Sequence, residues 1–239
     1  MKTIILLAAF LGMALAYRQP SIDVINKFKE VAPKYLEMLT TGETELNKIR
    51  AEVTDVVANF HVDVIQAKET AVLDAISRES EMHFQINHQP EVVNDVCLGF
   101  LNISLDMSMN LAGVGFTNCI NNVDDAFNGL IGKYFSALGV QEGMLNELRL
   151  LDVFRGDNVF YTPQNIIEKL EKKLSEQKIN PETFTEELEQ AKEALQNDLQ
   201  TILVSYRGCL TQADQLLKNG VDMLTMQLTF SCLGSVVEH

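Results

Sequence analysis

The amino-acid sequence predicts an all-α protein, an elongated antiparallel helical bundle with a disulfide-stapled helical hairpin. Three observations lead there. Apolar residues recur every three or four positions over long stretches, and no run alternates with the two-residue period of a strand. Four cysteines sit at spacings that a single helix cannot bridge.

The chain opens Met1-Lys2-Thr3, runs apolar over 4–11 and reaches Ala14-Leu15-Ala16. A basic start, a short apolar core and two small residues flanking one position describe a secretory signal peptide over 1–16, cleaved after Ala16. The run is too short for a spanning helix, which takes about 20 apolar residues. The later apolar stretch 96–120 is interrupted by Asn102, Asp106 and Asn110, so no membrane span is expected.

Beyond the signal, residues 17–90 are expected to form an N-terminal helical region and 91–235 a four-cysteine helical domain. Helices are predicted over 21–39, 43–85, 91–150, 163–178 and 181–233. The third is expected to break near Gly113-Val114-Gly115 and again near Gly139, where glycine weakens a helix. Thr162-Pro163 and Asn180-Pro181 each pair a good N-cap with proline at the first helical position, and Gln89-Pro90-Glu91 marks a further boundary. The segment 151–161 is the long turn between the third and fourth helices. Two stripes stand out. Leu46, Ile49, Val53, Val56, Phe60, Val64, Ala67 and Ala71 form one. Phe184, Leu188, Ala191, Leu195, Leu199, Ile202, Tyr206, Cys209, Ala213 and Leu216 form the other, while the intervening glutamates make a solvated face.

Cys97 and Cys119 are 22 residues apart, and Cys209 and Cys232 are 23 apart. In a continuous helix 22 residues rise roughly 33 Å, against the Cα separation of about 4.4–6.8 Å that a disulfide needs. Each bond must therefore join one helix to another. Antiparallel pairing gives Cys97–Cys232 and Cys119–Cys209, two rungs of a hairpin centred near Thr162-Pro163. Parallel pairing, Cys97–Cys209 with Cys119–Cys232, fits the spacing equally well but not that turn. The antiparallel pair is the expected one. In either case 23 residues rotate about 140° off the starting face, so a slip is expected between Cys209 and Cys232, placed at Asn219-Gly220. An even cysteine set on an export route agrees with disulfides, and no Cys-x-x-Cys suggests zinc. The sequon Asn102-Ile103-Ser104 marks Asn102 as a glycosylation candidate.

The formal net charge is −14, and Lys2 is the sole charge within 1–16, so the processed chain carries −15. Nucleic acids and anionic membranes select for Lys and Arg, so neither is an expected partner. No nucleophile elbow, His-Glu-x-x-His or phosphate loop is present, and Gly113-Val114-Gly115 is a fragment of a dinucleotide motif. Among His61, His83, His88 and His239 only His83 and His88 are close, and a five-residue step separates their faces. Adjacent carboxylates at Asp124-Asp125 and Glu186-Glu187 diverge. No catalytic residue, metal ligand or cofactor is assigned. Arg155-Gly156-Asp157 spells an adhesion tripeptide, but Phe154, Val159 and Phe160 predict that this segment packs down.

The stretch from Leu151-Asp152-Val153-Phe154 through Arg155-Gly156-Asp157-Asn158-Val159-Phe160, followed by Pro163 and Ile166-Ile167, resembles the tsetse EP-type domain of insect secreted proteins. Two cysteines before it and two after it are similar as well. The resemblance covers 91–235 and implies an extracellular insect protein associated with the midgut or immunity, without enzyme activity. The Glu-Pro repeat tail of the founding member is absent, the sequence ending Ser235-Val236-Val237-Glu238-His239. The expected function is thus a secreted, non-enzymatic interaction protein whose partner is an extracellular protein, a glycan or an apolar ligand. The alternative is a carrier of lipids or other apolar molecules, because 96–120 is more apolar than a helix with one buried face needs. A helix central in the core would explain the same excess.

The signal-peptide reading has a direct check. N-terminal sequencing of the secreted chain should find Tyr17 first, and recovery of Met1 would overturn export.

Overall fold

A computed structural model describes residues 20–146, 148–175 and 181–234. The signal segment with its Ala16 cleavage site, positions 176–178 of the fourth predicted helix and the Asn180 cap lie outside the described residues. Four helices account for most of the rest: α1 (Pro20–Asn87), α2 (Asp95–Asn146), α3 (Pro163–Ser175) and α4 (Pro181–Gln227). A 3-10 helix spans Leu150–Phe154, and a π turn at Leu228–Leu233 continues α4. No strand occurs among the described residues. The all-α class is as the periodicity predicts.

The helices are longer than their glycines suggest. α1 runs unbroken through 40–42, where Thr40 and Thr44 return their hydroxyls to the carbonyls of Leu36 and Thr40. Gly42 lies against the buried side chain of Leu145, where an added Cβ would collide. α2 likewise passes through Gly113-Val114-Gly115 and Gly139 without the predicted breaks. At Gly115 an added Cβ would come within 2.9 Å of the Ala213 Cβ, so this glycine serves close packing of α2 on α4. α2 also begins later than the Pro90 signal suggests. Pro90 belongs to a turn closed by the Val93 amide at 3.0 Å, and Asn94 caps the helix by accepting the Val96 amide at 2.9 Å.

The chain gathers into two compact units, each built from segments distant in sequence. The first takes the described residues up to Arg50 together with Ser136–Ala191. Its core joins Val24, Val31 and Tyr35 of α1 to Val153 of the 3-10 helix and to Ile166 and Leu170 of α3. Phe28 meets Phe154 at 5.6 Å, and Lys27 reaches Glu171 at 3.6 Å.

The second unit takes Ala51–Phe135 and the chain from Lys192 onward. Phe60 stacks on Phe127 at 5.4 Å while His83 meets Asn102, so α1 and α2 run antiparallel. Glu52 pairs with Lys192, and Arg78 with Asp214, so α1 and α4 run parallel. The stripe predicted from Leu46 onward is buried as expected at Leu46, Ile49, Val53, Phe60 and Val64, and it continues to Met82 and Ile86.

Cys97 bonds Cys232 and Cys119 bonds Cys209, with Cα separations of 5.8 and 5.7 Å. These are the antiparallel rungs, and the parallel alternative is excluded. From just before the Cys209 rung toward Cys232 the α4 seam reads Leu203, Tyr206, Leu210, Ala213, Leu217, Gly220 and Leu224, alternating steps of three and four. That is a heptad seam, as two helices need to stay in contact over a long distance. The predicted stripe is buried at Phe184, Leu188, Leu195, Leu199, Tyr206 and Ala213, but at Ile202, Cys209 and Leu216 the buried residue is the next one along. Leu217 is 1 % exposed and Leu216 is 73 % exposed. Apolar pairs at Ile202/Leu203, Cys209/Leu210 and Leu216/Leu217 make either phase plausible from periodicity alone. The predicted slip is real but lies elsewhere: α4 passes Asn219-Gly220 intact, with Gly220 packed on Ser108. A continued seam would place Gln227 and Ser231 inward. The π turn adds one residue to the winding and brings Leu228 and Cys232 inward instead.

Matched substitutions test the close approach. Gly113 has nothing within 4 Å of an added Cβ, so Gly113→Ala should gain up to about 1 kcal/mol from helix propensity. Gly115→Ala should instead lose about 1 kcal/mol or more, since overpacking costs about 1–3 kcal/mol. Urea midpoints at unchanged slope read both. Equal gains would remove the packing role of Gly115.

Candidate functional site

The first feature with functional content is the outer face of α2. Its inner face carries Leu101, Leu105, Ala112, Phe116 and Cys119, all buried. A second row, Val96, Phe100, Ile103, Met107, Leu111 and Val114, follows the same three-and-four spacing and is 58 to 80 % exposed. A helix central in the core, one explanation of the excess apolar character of 96–120, is therefore not what forms. α2 buries one stripe and shows another to solvent. The outer row extends over roughly 27 Å, and such a contiguous line differs from the scattered exposed apolar residues of ordinary surfaces.

Asn102 sits between the two rows, half-buried, and its Oδ1 accepts from His83 Nδ1 at 3.0 Å. The sequon thus lies on the helix and faces α1. His88 is turned away from that contact and stacks on Phe84 with ring centroids 4.0 Å apart, so the two histidines separate as their five-residue step predicts.

A cleft of about 240 Å³ lies beside the Cys119–Cys209 bond, lined by Val123, Ala126, Ile202 and Tyr206 among others. Tyr206 is buried, and burial pushes its hydroxyl pKa up. That hydroxyl has no hydrogen-bond partner among the described residues. The lining is mainly apolar, with Asn122, Thr201, Ser205 and the Tyr206 hydroxyl as its polar members.

The segment carrying the adhesion tripeptide packs down, but not by all the residues expected to hold it. Phe154 and Val159 join the core of the first unit, whereas Phe160 is 79 % exposed. Asn158 organises the turn, its side chain accepting the Phe160 amide at 2.8 Å while its own amide donates to the Thr162 hydroxyl at 2.8 Å. Gly156, with φ +79°, makes the bend an L side chain would resist. The Asp157 side chain is 8 % exposed and is held by Lys169, which also donates to the Arg155 carbonyl, and by Asn165 at 3.0 Å. The carboxylate that an adhesion receptor would need is committed internally.

No family model, curated protein or solved structure matches this chain. The two disulfides fit an oxidising compartment.

Lys169, and then Asn165, hold the Asp157 carboxyl below its ordinary value of 3.8. A depressed folded pKa stabilises above the unfolded pKa, about 3.9, and that contribution disappears as pH falls through the lower folded value. The stability advantage of the native chain over Asp157→Asn should therefore be full at pH 6 and shrink below pH 4. Urea midpoints at pH 6 and pH 2.5 measure it. A constant difference would refute the ion pair.

Proposed function

We propose that this chain is a secreted, non-enzymatic interaction protein that docks an extracellular partner protein along the outer face of α2. The observation that carries this reading is the row Val96, Phe100, Ile103, Met107, Leu111 and Val114, six apolar side chains aligned and exposed. Met107 adds an adaptable side chain suited to a partner surface. The staples support the role, because a rigid face loses little entropy on binding. The resemblance of 151–160 and the cysteine framework to insect secreted proteins points to the gut or to immunity as the setting.

α2 is apolar enough by composition and length to cross a membrane. Two rungs tie it to α4, however, and Asp214, Lys218 and Asp222 lie between Cys209 and Cys232. Insertion of α2 would drag these charges toward the bilayer at about 2.5–3.5 kcal/mol each. Docking of a protein surface is the favoured use of the row.

Carriage of an apolar ligand is the second reading, and the cleft beside Cys119–Cys209 favours it. Its volume of about 240 Å³ falls below the 300–1,000 Å³ or so of pockets for drug-sized molecules. A long acyl chain would require the helices to part.

A photo-crosslinking residue at Ile103 should yield one discrete adduct in the fluid that receives the protein, whereas the same group at Ile65, 62 % exposed on α1, should not. Equal labelling at both positions, or none at Ile103, would defeat the docking reading. Extraction of the native protein followed by mass spectrometry should find no stoichiometric lipid, and finding one would make the protein a carrier.

A further inference from the structure

The contact between His83 and Asn102 has chemistry beyond packing. Glu79 and His83 are four residues apart on one face of α1, and Asn102 and Asp106 are four apart on one face of α2. The two faces meet. One ligand atom from each of Glu79, His83 and Asp106 lies within 4.8 Å of the others, and His83 Nε2 is 3.9 Å from Asp106 Oδ1. His83 Nδ1 is held at 3.0 Å by Asn102 Oδ1, which can only accept. Nδ1 therefore donates, and in the neutral imidazole the Nε2 lone pair faces the carboxylates.

From this geometry we infer that Glu79, His83 and Asp106 form a zinc-class divalent cation site bridging α1 and α2, with Asn102 as the positioning residue that fixes the His83 tautomer. Tetrahedral zinc with bonds of about 2.0–2.2 Å sets its ligand atoms roughly 3.4 Å apart. The 3.9 Å between His83 and Asp106 needs closure of about 0.5 Å, and the other pairs, within 4.8 Å, at most about 1.4 Å, within reach of side chains that are part or largely exposed. An imidazole nitrogen among the ligands favours zinc, nickel or copper over calcium and magnesium, which prefer all-oxygen shells. Two carboxylates supply the two negative charges that balance the ion. The outward hydrogen bond from the ligating imidazole is the usual device for orienting it. Three protein ligands leave a fourth position for water or for a donor from a partner, the arrangement of an open site. The bridge lies beside the core of Met82, Ile86, Leu101 and Leu105, so occupancy would also brace the α1–α2 contact.

The test is calorimetric titration of the oxidised full-length chain with zinc chloride, using calcium chloride as the control. One zinc per chain is expected, with no calcium heat. His83→Gln and Asp106→Asn should each weaken zinc by at least tenfold, while His61→Gln and His88→Gln leave it unchanged. Asn102→Ala should weaken it about tenfold through the lost orienting bond, and Ser104→Ala, which removes the sequon but keeps Asn102, should not. Circular dichroism checks that the variants stay folded. The nitrogen-15 shift of His83 should report metal on Nε2. Absence of one-to-one binding, unchanged affinity in His83→Gln, or metal on Nδ1 would each overturn the site.

Discussion

The structure depends on the contact between α2 and α4 more than on any other. Two disulfides fix its register, and small residues between them let the helices approach. Ser108 and Gly115 on α2 face Gly220 and Ala213 on α4, so the backbones pack where larger side chains would hold them apart. With both ends covalently pinned, the seam has no freedom to slide. The winding of α4 absorbs the resulting mismatch, through the π turn that brings Leu228 and Cys232 inward. A strained-looking local feature is thus the consequence of a long-range constraint.

That constraint also explains why α2 can show apolar residues to solvent. Its inner stripe already secures the helix against α4 and α1, with Leu101 and Leu105 among the least accessible side chains of the chain. Burying such a leucine is worth about 1.5–3 kcal/mol. The outer row is left exposed by that packing. In an acidic chain of net charge −14, a charge-free row is also where repulsion of an acidic partner would be weakest.

Much of this was legible in the sequence, for identifiable reasons. Cysteine spacing and helix rise together forced interhelical bonds, and the centre of the hairpin favoured the antiparallel pairing. Stripes along α1 marked its buried face correctly. Glycine misled, because Gly115 looks like a helix stop when read alone and acts as a contact point when a second helix is present. The α4 stripe was right at most positions and one residue off at Ile202, Cys209 and Leu216, because each of these has an apolar neighbour that fits the period as well. Sequence showed an excess of apolar residues at 96–120 but not which way they face, since that depends on what α4 covers. Glu79, His83 and Asp106 were invisible as a group, being brought together only by the α1–α2 pairing.

The Cys119–Cys209 bond closes a covalent ring around the whole 150–162 connection, and Cys97–Cys232 closes a larger one outside it. Phe160 and Tyr161, 79 % and 87 % exposed, stand on that connection as an accessible target for endopeptidases that cut after aromatic residues. A cut there would sever the backbone without parting the pieces, because both rungs still join them. A nicked molecule would keep its α2–α4 seam and its outer row, and would migrate as one species until reduced. In a protease-rich fluid the hairpin would outlast the integrity of its own chain.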